Sequence, residues 1–173
     1  MSSEVLLSYI KNYPDFPKPG ILFRDIMPLY ESPKGRALLR ESFAEVLDMS
    51  AIDVIVGIDA RGFVLSTLLA EAWAKPMVLV RKAGKLPGSV ASSSYSLEYG
   101  EATLQIQKNT LKAGDNVLIM DDLLATGGTL LASCELVESQ GAKVAALATV
   151  IELKDLAGRE RLSAYSLVSL LTV

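Results

Sequence analysis

Two stretches of this chain restrict its fold more than anything else in it: "DVIVGIDARGFVLSTLLAEAWA" and "NVLIMDDLLATGGTLLASCELVESQG". Each opens on an unbroken apolar run of strand length, passes through a short turn, and continues as an apolar-faced helix. A run without alternation marks a strand buried on both faces, which only a sheet with helices over both sides provides. "PMVLVR", "KVAALATVIEL" and "SLVSLLTV" supply further strands of the same kind. The pattern therefore predicts an α/β fold, a mainly parallel sheet flanked by helices.

With 173 residues, the chain is read as a single domain, residues 1–173, large enough to bury a full core. "SSEVLLSYI" predicts a short amphipathic helix. "YPDFPKPGILFRDIMPLY" carries four prolines and is expected to be ordered but irregular. Ser32-Pro33 then opens a helix running to about Met49. "KAGKLPGSVASSS" lacks periodicity and leads into "YSLEYGEATLQIQ", where apolar and polar residues alternate about a turn near Gly100. Residues 82–108 are thus expected to form a long flexible loop, of the length often used as a lid, followed by a two-stranded ribbon.

Composition removes several chemistries. There is no histidine, so histidine-based acid–base catalysis, triads and metal sites are excluded. One cysteine, Cys134, forbids an internal disulfide, and its setting in "LLASCEL" suits a buried core thiol. A net charge of -3 offers no general attraction to nucleic acid. The amino terminus lacks the pattern of a signal peptide, and no apolar run reaches the roughly 18 residues that cross a bilayer. A soluble, cytoplasmic protein is expected, with no nucleic-acid or membrane partner.

The chemistry concentrates in "VLIMDDLLATGGT", residues 117–129. Ala125 to Thr129 form a glycine-rich loop at a helix start, where converging backbone N–H groups and the helix dipole hold a phosphate. No Walker A or G-x-G-x-x-G pattern occurs, so triphosphate and dinucleotide readings lose their support. Asp121 and Asp122 beside that loop should repel an anion. They make sense if the ligand also carries a diol, because carboxylates accept hydrogen bonds from sugar hydroxyls. One phosphate beside a vicinal diol is a ribose 5-phosphate unit, with hydrated Mg²⁺ able to screen the repulsion. The plain alternative is a capped helix with two surface acids.

This thirteen-residue segment resembles the 5-phosphoribosyl-1-pyrophosphate motif of the type I phosphoribosyltransferases. "FPKPGILFRDI", "GIDARGF", "VRKAGKLPG", "SYSLEYG" and "VIELKDLAGRERL" resemble, in order and spacing, segments of the adenine-using members of that family, from about Tyr13 to Leu171. The resemblance implies the type I fold with a small hood, residues 1–30, for the base. It implies transfer of the phosphoribosyl group of phosphoribosyl pyrophosphate to adenine, giving AMP and pyrophosphate through an oxocarbenium-like transition state. It also implies Mg²⁺ held mainly by substrate, with assistance from Asp121 and Asp122, and a homodimer.

Residue roles follow from the same resemblance. Asp121 and Asp122 hold the ribose hydroxyls, and Ala125, Thr126, Gly127, Gly128 and Thr129 hold the 5′-phosphate. Asp59, Ala60, Arg61, Arg81, Lys82 and Lys85 face the pyrophosphate, with Arg61 counted as catalytic and a cis peptide expected at Asp59–Ala60. Some members carry a basic residue where this chain has Ala83. Leu22, Phe23, Arg24 and Leu153 contact adenine. Glu98 exchanges a proton with the purine N7, and Tyr99 closes the lid. "FRDI" lacks the lysine that a six-position carbonyl calls for, which favours adenine. Transfer to hypoxanthine or xanthine, or a non-catalytic sensor of phosphoribosyl pyrophosphate, are the competing readings; a sensor fits poorly with an acidic chain that retains Glu98 and Arg61.

Overall fold

The computed structural model describes residues 3–96 and 100–173, in two compact units that meet in sequence at Leu47 and Asp48. The first holds α1 (Ser3–Leu7), β1 (Lys11–Pro14), β2 (Leu22–Asp25), α2 (Met27–Glu31) and α3 (Pro33–Val46). The proline-rich segment is more regular than its composition predicts. β1 and β2 pair antiparallel from Lys11↔Asp25 to Pro14↔Leu22. Pro14 ends its strand and Pro17, after a cis bond to Phe16, lies in the connection, so neither breaks an internal ladder. Asp15 closes the turn by accepting the Gly20 N–H at 2.7 Å. The helix opened by Ser32-Pro33 forms as expected, with the Ser32 hydroxyl accepting from the Gly35 N–H. It stops at Val46 rather than Met49, where a separate 3-10 turn, Met49–Ala51, is capped by Asp48.

The second unit contains β3 (Val54–Ile58), α4 (Arg61–Trp73), β4 (Met77–Lys82), β5 (Val90–Ser96), β6 (Glu101–Gln107), β7 (Asn116–Leu124), α5 (Gly128–Glu138), β8 (Lys143–Glu152), α6 (Gly158–Arg161) and β9 (Leu167–Thr172). Its sheet has the order β5-β6-β4-β3-β7-β8-β9. β4, β3, β7, β8 and β9 run parallel, and the β5–β6 hairpin joins β4 antiparallel. Both faces of the sheet are covered. Val54, Val56, Ile58, Val117 and Ile119 share one apolar cluster with Leu130, Cys134 and Val137 of α5. On the other face α4 lies so close to β3 that a side chain on Gly57 would strike Ser66. Each fully buried aliphatic side chain in these layers contributes about 1.5–3 kcal/mol. Cys134 is among them: burial, and then the nearby Glu138, push its thiol up to about 12, as suits a core residue.

The expectation for residues 82–108 needs correction at its boundaries. Lys82 belongs to β4, and the connecting loop spans only residues 83–89. "VASSS" is strand, not loop, paired with β6 from Val90↔Gln107 to Ser96↔Glu101. The serines suit a strand because each finds a partner. Ser92 accepts from Gln105, Ser94 shares a hydrogen bond with Thr103 across the ladder, and Ser93 donates to Glu135 of α5. Among the described residues, no helix is long and apolar enough to cross a membrane.

Candidate functional site

The site grows from a mismatch in strand length. β7 pairs with β3 only as far as Gly57↔Met120, but with β8 as far as Leu124↔Glu152. Asp121 and Asp122 follow Met120, so they border the crevice left where β3 has turned away into α4. That is the position at which open α/β sheets receive ligands.

Helix α4 starts directly against the acids. The Asp59–Ala60 peptide is cis, as expected, and Arg61 is the first helical residue. Gly62 permits the approach: a Cβ there would lie 2.9 Å from both Asp121 Oδ1 and the Met120 carbonyl. The Arg61 Nε–H donates to Asp122 Oδ2, and the Asp122 N–H donates to Asp121 Oδ1 at 2.9 Å. The two carboxyl groups are therefore not equivalent. Asp122 is buried and has a guanidinium partner. Burial, then repulsion from Asp122, push the Asp121 carboxyl well above the ordinary range, with Arg61 acting weakly in the opposite sense. Asp121 is the member that gains most from a hydroxyl donor or a cation.

On the far side of the acids lies the start of α5. Gly127 has φ +79, a left-handed conformation that glycine adopts without strain, and sits at the N-cap position of the helix. Its missing Cβ would sit 2.8 Å from the Gly158 carbonyl, and a Cβ on Gly158 would in turn strike the Ala125 carbonyl. Loop and α6 thus pack backbone against backbone, which leaves residues 125–129 shaped around their N–H groups. A shallow recess of about 60 Å³ is lined by Leu123 through Leu130. The first N–H groups of a helix lack intrahelical acceptors, so this recess suits an oxyanion. The acid pair accordingly lies between two helix N-termini, whose dipoles offset part of its charge.

The cationic edge is assembled differently. Arg81 Nε donates to Asp59 Oδ2 at 3.1 Å, its Nη1 donates to the Lys85 carbonyl at 3.3 Å, and its guanidinium lies 5.7 Å from the centre of the Phe63 ring. Lys82 is exposed at the end of β4.

A cavity of about 330 Å³ gathers Asp59, Ala60, Arg61, Lys82, Asp121, Asp122 and Thr129, seven of the residues selected from sequence. Tyr95 and Leu104 line it as well and had no sequence signal of their own. Gly158 was also missed; only its place before a short helix in "AGRER" hinted at a backbone contact. Arg81 pairs with Asp59 and Lys85 accepts from Arg81 through its carbonyl, and neither lines the cavity. Leu22, Phe23 and Arg24 lie on β2 of the first unit, where the Phe23 ring meets that of Phe16 edge-on at 5.2 Å. Leu153 follows β8 and donates its N–H to the Leu124 carbonyl. Glu98 and Tyr99 lie outside the described residues. A larger hollow of about 620 Å³, bordered by Glu152, Arg159 and Tyr165, has its buried acid occupied already, because Arg159 grips Glu152 through Nε and Nη2.

Known proteins resemble the chain over nearly its whole length. A family model described as the phosphoribosyl transferase domain matches residues 28–171. The adenine phosphoribosyltransferase of Nitrosococcus oceani is 52% identical over 167 residues, covering 96% of this chain and 98% of that protein. The crystal structure of adenine phosphoribosyltransferase from Thermoanaerobacter pseudethanolicus, 41% identical, superposes with a TM-score of 0.95 over 99% of this chain and 100% of that one. The Saccharomyces cerevisiae enzyme, complexed with an imino-altritol bisphosphate and adenine, is 40% identical with a TM-score of 0.93, over 98% of each chain.

Proposed function

Because the chain belongs to the phosphoribosyl transferase family, we propose that it transfers the 5-phosphoribosyl group of phosphoribosyl pyrophosphate to adenine, forming AMP and pyrophosphate in purine salvage. The observation that carries this reading is the setting of Asp121 and Asp122, between an arginine-bearing helix start and a glycine-built one. Such a site suits a ligand with an anion at each end and a diol between.

In this reading Ala125, Thr126, Gly127, Gly128 and Thr129 take the 5′-phosphate through their N–H groups and hydroxyls. Asp121 and Asp122 accept from the ribose hydroxyls. Asp59 and Ala60 shape the turn that presents Arg61, and Arg61, Arg81, Lys82 and Lys85 neutralise the departing pyrophosphate. Leu22, Phe23, Arg24 and Leu153 are assigned to adenine, with residues 1–30 as the base-binding segment. The bond from C1′ to the pyrophosphate oxygen breaks as the bond from C1′ to N9 forms. Adenine loses one proton, which Glu98 accepts at N7 while Tyr99 helps exclude water.

Among the described residues, no cluster of three or more His, Cys, Asp or Glu offers a metal cage. The donors present, two carboxylates beside a diol-and-phosphate site, suit a Mg²⁺ that arrives on the substrate's oxygens, with Asp121 and Asp122 as its protein contacts. Bound there, the ion supplies charge neutralisation to the leaving group. The same reading includes a homodimer acting in the cytoplasm, which sedimentation and cell fractionation test.

The deciding experiment supplies phosphoribosyl pyrophosphate, Mg²⁺ and one base at a time, adenine, hypoxanthine, guanine or xanthine, and measures pyrophosphate release. Turnover with adenine above the other bases is expected. A folded protein that releases none with adenine overturns the proposal.

A further inference from the structure

Thr129, the second residue of α5, does not stand alone. Its hydroxyl donates to the Tyr95 hydroxyl oxygen at 3.1 Å, across 34 residues of sequence. The Tyr95 ring also covers the helix start beside it, because a Cβ on Gly128 would lie 2.9 Å from Tyr95 Cδ2. Tyr95 is delivered there by the alternation of β5. Ala91, Ser93 and Tyr95 share one strand face. Ala91 and Tyr95 pack against the cluster that contains α5, and Ser93 donates to Glu135 about two turns beyond the start of that helix. The strand is thereby fastened to α5 at two heights, with the aromatic hydroxyl at the helix N-terminus.

The direction of that hydrogen bond matters. A phosphate offers only acceptors, so Thr129 can serve it only by turning its single proton away from Tyr95. The Tyr95 proton is not spent in this bond, and Tyr95 lines the same cavity as Asp121, Asp122 and Thr129. When an anion reaches the start of α5, the pair can turn together, Tyr95 donating to Thr129 and Thr129 to the anion. Two hydroxyls then act as one oriented donor.

We infer that Tyr95 is a positioning residue for the 5′-phosphate, orienting the Thr129 hydroxyl and closing the start of α5. The inference rests on the phosphate role proposed above for residues 125–129. It adds to that role a link between the phosphate loop and the strand that leads, three residues later in sequence, to Glu98.

Tyr95→Phe keeps the ring and removes only the hydroxyl. Calorimetric titration with ribose 5-phosphate should show affinity reduced about three- to tenfold, because the Thr129 hydroxyl is no longer held in orientation toward the anion. Binding of inorganic pyrophosphate and the melting temperature should stay at wild-type values. KM for phosphoribosyl pyrophosphate should rise by the same factor with kcat within about twofold. Thr129→Val should show a similar loss, and the double variant no more than the worse single one, because the two hydroxyls act as a unit. Wild-type ribose 5-phosphate affinity in Tyr95→Phe overturns the inference, as does a double variant whose loss equals the product of the singles. Measuring adenine turnover of the wild type alongside separates the two levels. Phosphate binding that depends on Tyr95 without adenine turnover removes the proposed reaction and leaves this inference, while normal turnover with Tyr95-independent binding does the reverse.

Discussion

The two sides of the acid pair are built from different materials. Toward α5, the groups proposed to bind are backbone N–H groups, held in place because glycines let main chain touch main chain at Gly127 and Gly158. Toward α4 and β4 they are arginine side chains, held because carboxylates pair with them, Arg61 with Asp122 and Arg81 with Asp59. The first side is fixed by shape and the second by charge. They should therefore fail under different perturbations, steric on one side, electrostatic and salt-dependent on the other.

Removing charge on the α4 side has the largest expected effect. Arg61→Ala leaves the buried Asp122 carboxylate without the guanidinium it accepts from, and removes a cation assigned in the proposed reaction to the leaving group. Adenine turnover should fall about 10²–10³-fold in kcat/KM, with the melting temperature also lowered. Arg61→Lys should recover only part, since a point charge cannot reproduce the arginine's oriented donors. Full activity in the lysine variant would contradict a geometric role for Arg61.

The acids come next, and here binding and stability should move in opposite directions. The Asp121 carboxyl is raised by burial and by Asp122, so the folded protein holds its proton more tightly than the unfolded chain. Stability from this group is therefore present at low pH and is lost as pH rises from the unfolded value, near 3.9, through the folded one. Asp121→Asn should raise the melting temperature of the ligand-free protein at neutral pH by about 2–4 °C, with the gain vanishing below about pH 4. The same change should weaken phosphoribosyl pyrophosphate binding about tenfold or more. Calorimetric scans against pH, together with titrations, check both signs.

On the side fixed by shape, Gly158→Ala places a methyl group against the Ala125 carbonyl. The expected cost is about 1–3 kcal/mol of stability, with AMP affinity lowered and its dependence on salt concentration unchanged. A change in salt dependence would show that the loop binds by more than its backbone.

The smallest effect belongs to the neighbouring ion pair. Arg159 holds the Glu152 carboxyl below its usual value, so its stabilisation is present above about pH 4.5 and disappears as pH falls through the lowered folded pKa. Half of the Arg159 side chain is exposed at 49%, and screening limits the pair to about 1 kcal/mol or less. Arg159→Gln should therefore lower the melting temperature slightly at pH 7 and not at pH 3.

The same contrast explains what the amino-acid sequence revealed. Buried strands, helix starts and the glycine-built turn before α5 were legible because their signals are local: apolar runs, Ser32-Pro33, and glycines at turns. β5 was not, because the serines at 92–94 look like loop until Gln105, Thr103 and Glu135 arrive from elsewhere. The β1–β2 hairpin was hidden by prolines that turn out to sit at a strand end and in the connection. In the site, Asp121, Asp122 and Arg61 could be named from motifs, whereas Tyr95 and Gly158 act through distant contacts with Thr129 and Ala125. Local order is written locally; closure of a site is not.

The proposed reaction requires the acids to read a sugar diol and the loop beside them to read a phosphate. Titrating AMP and 2′,3′-dideoxy-AMP into the wild type and into Asp121→Asn/Asp122→Asn tests it directly. The wild type should bind AMP about 10- to 100-fold more tightly than the dideoxy compound, the worth of one or two hydrogen bonds to carboxylates, and the double variant should bind the two alike. An equal preference for AMP in both proteins would contradict the account.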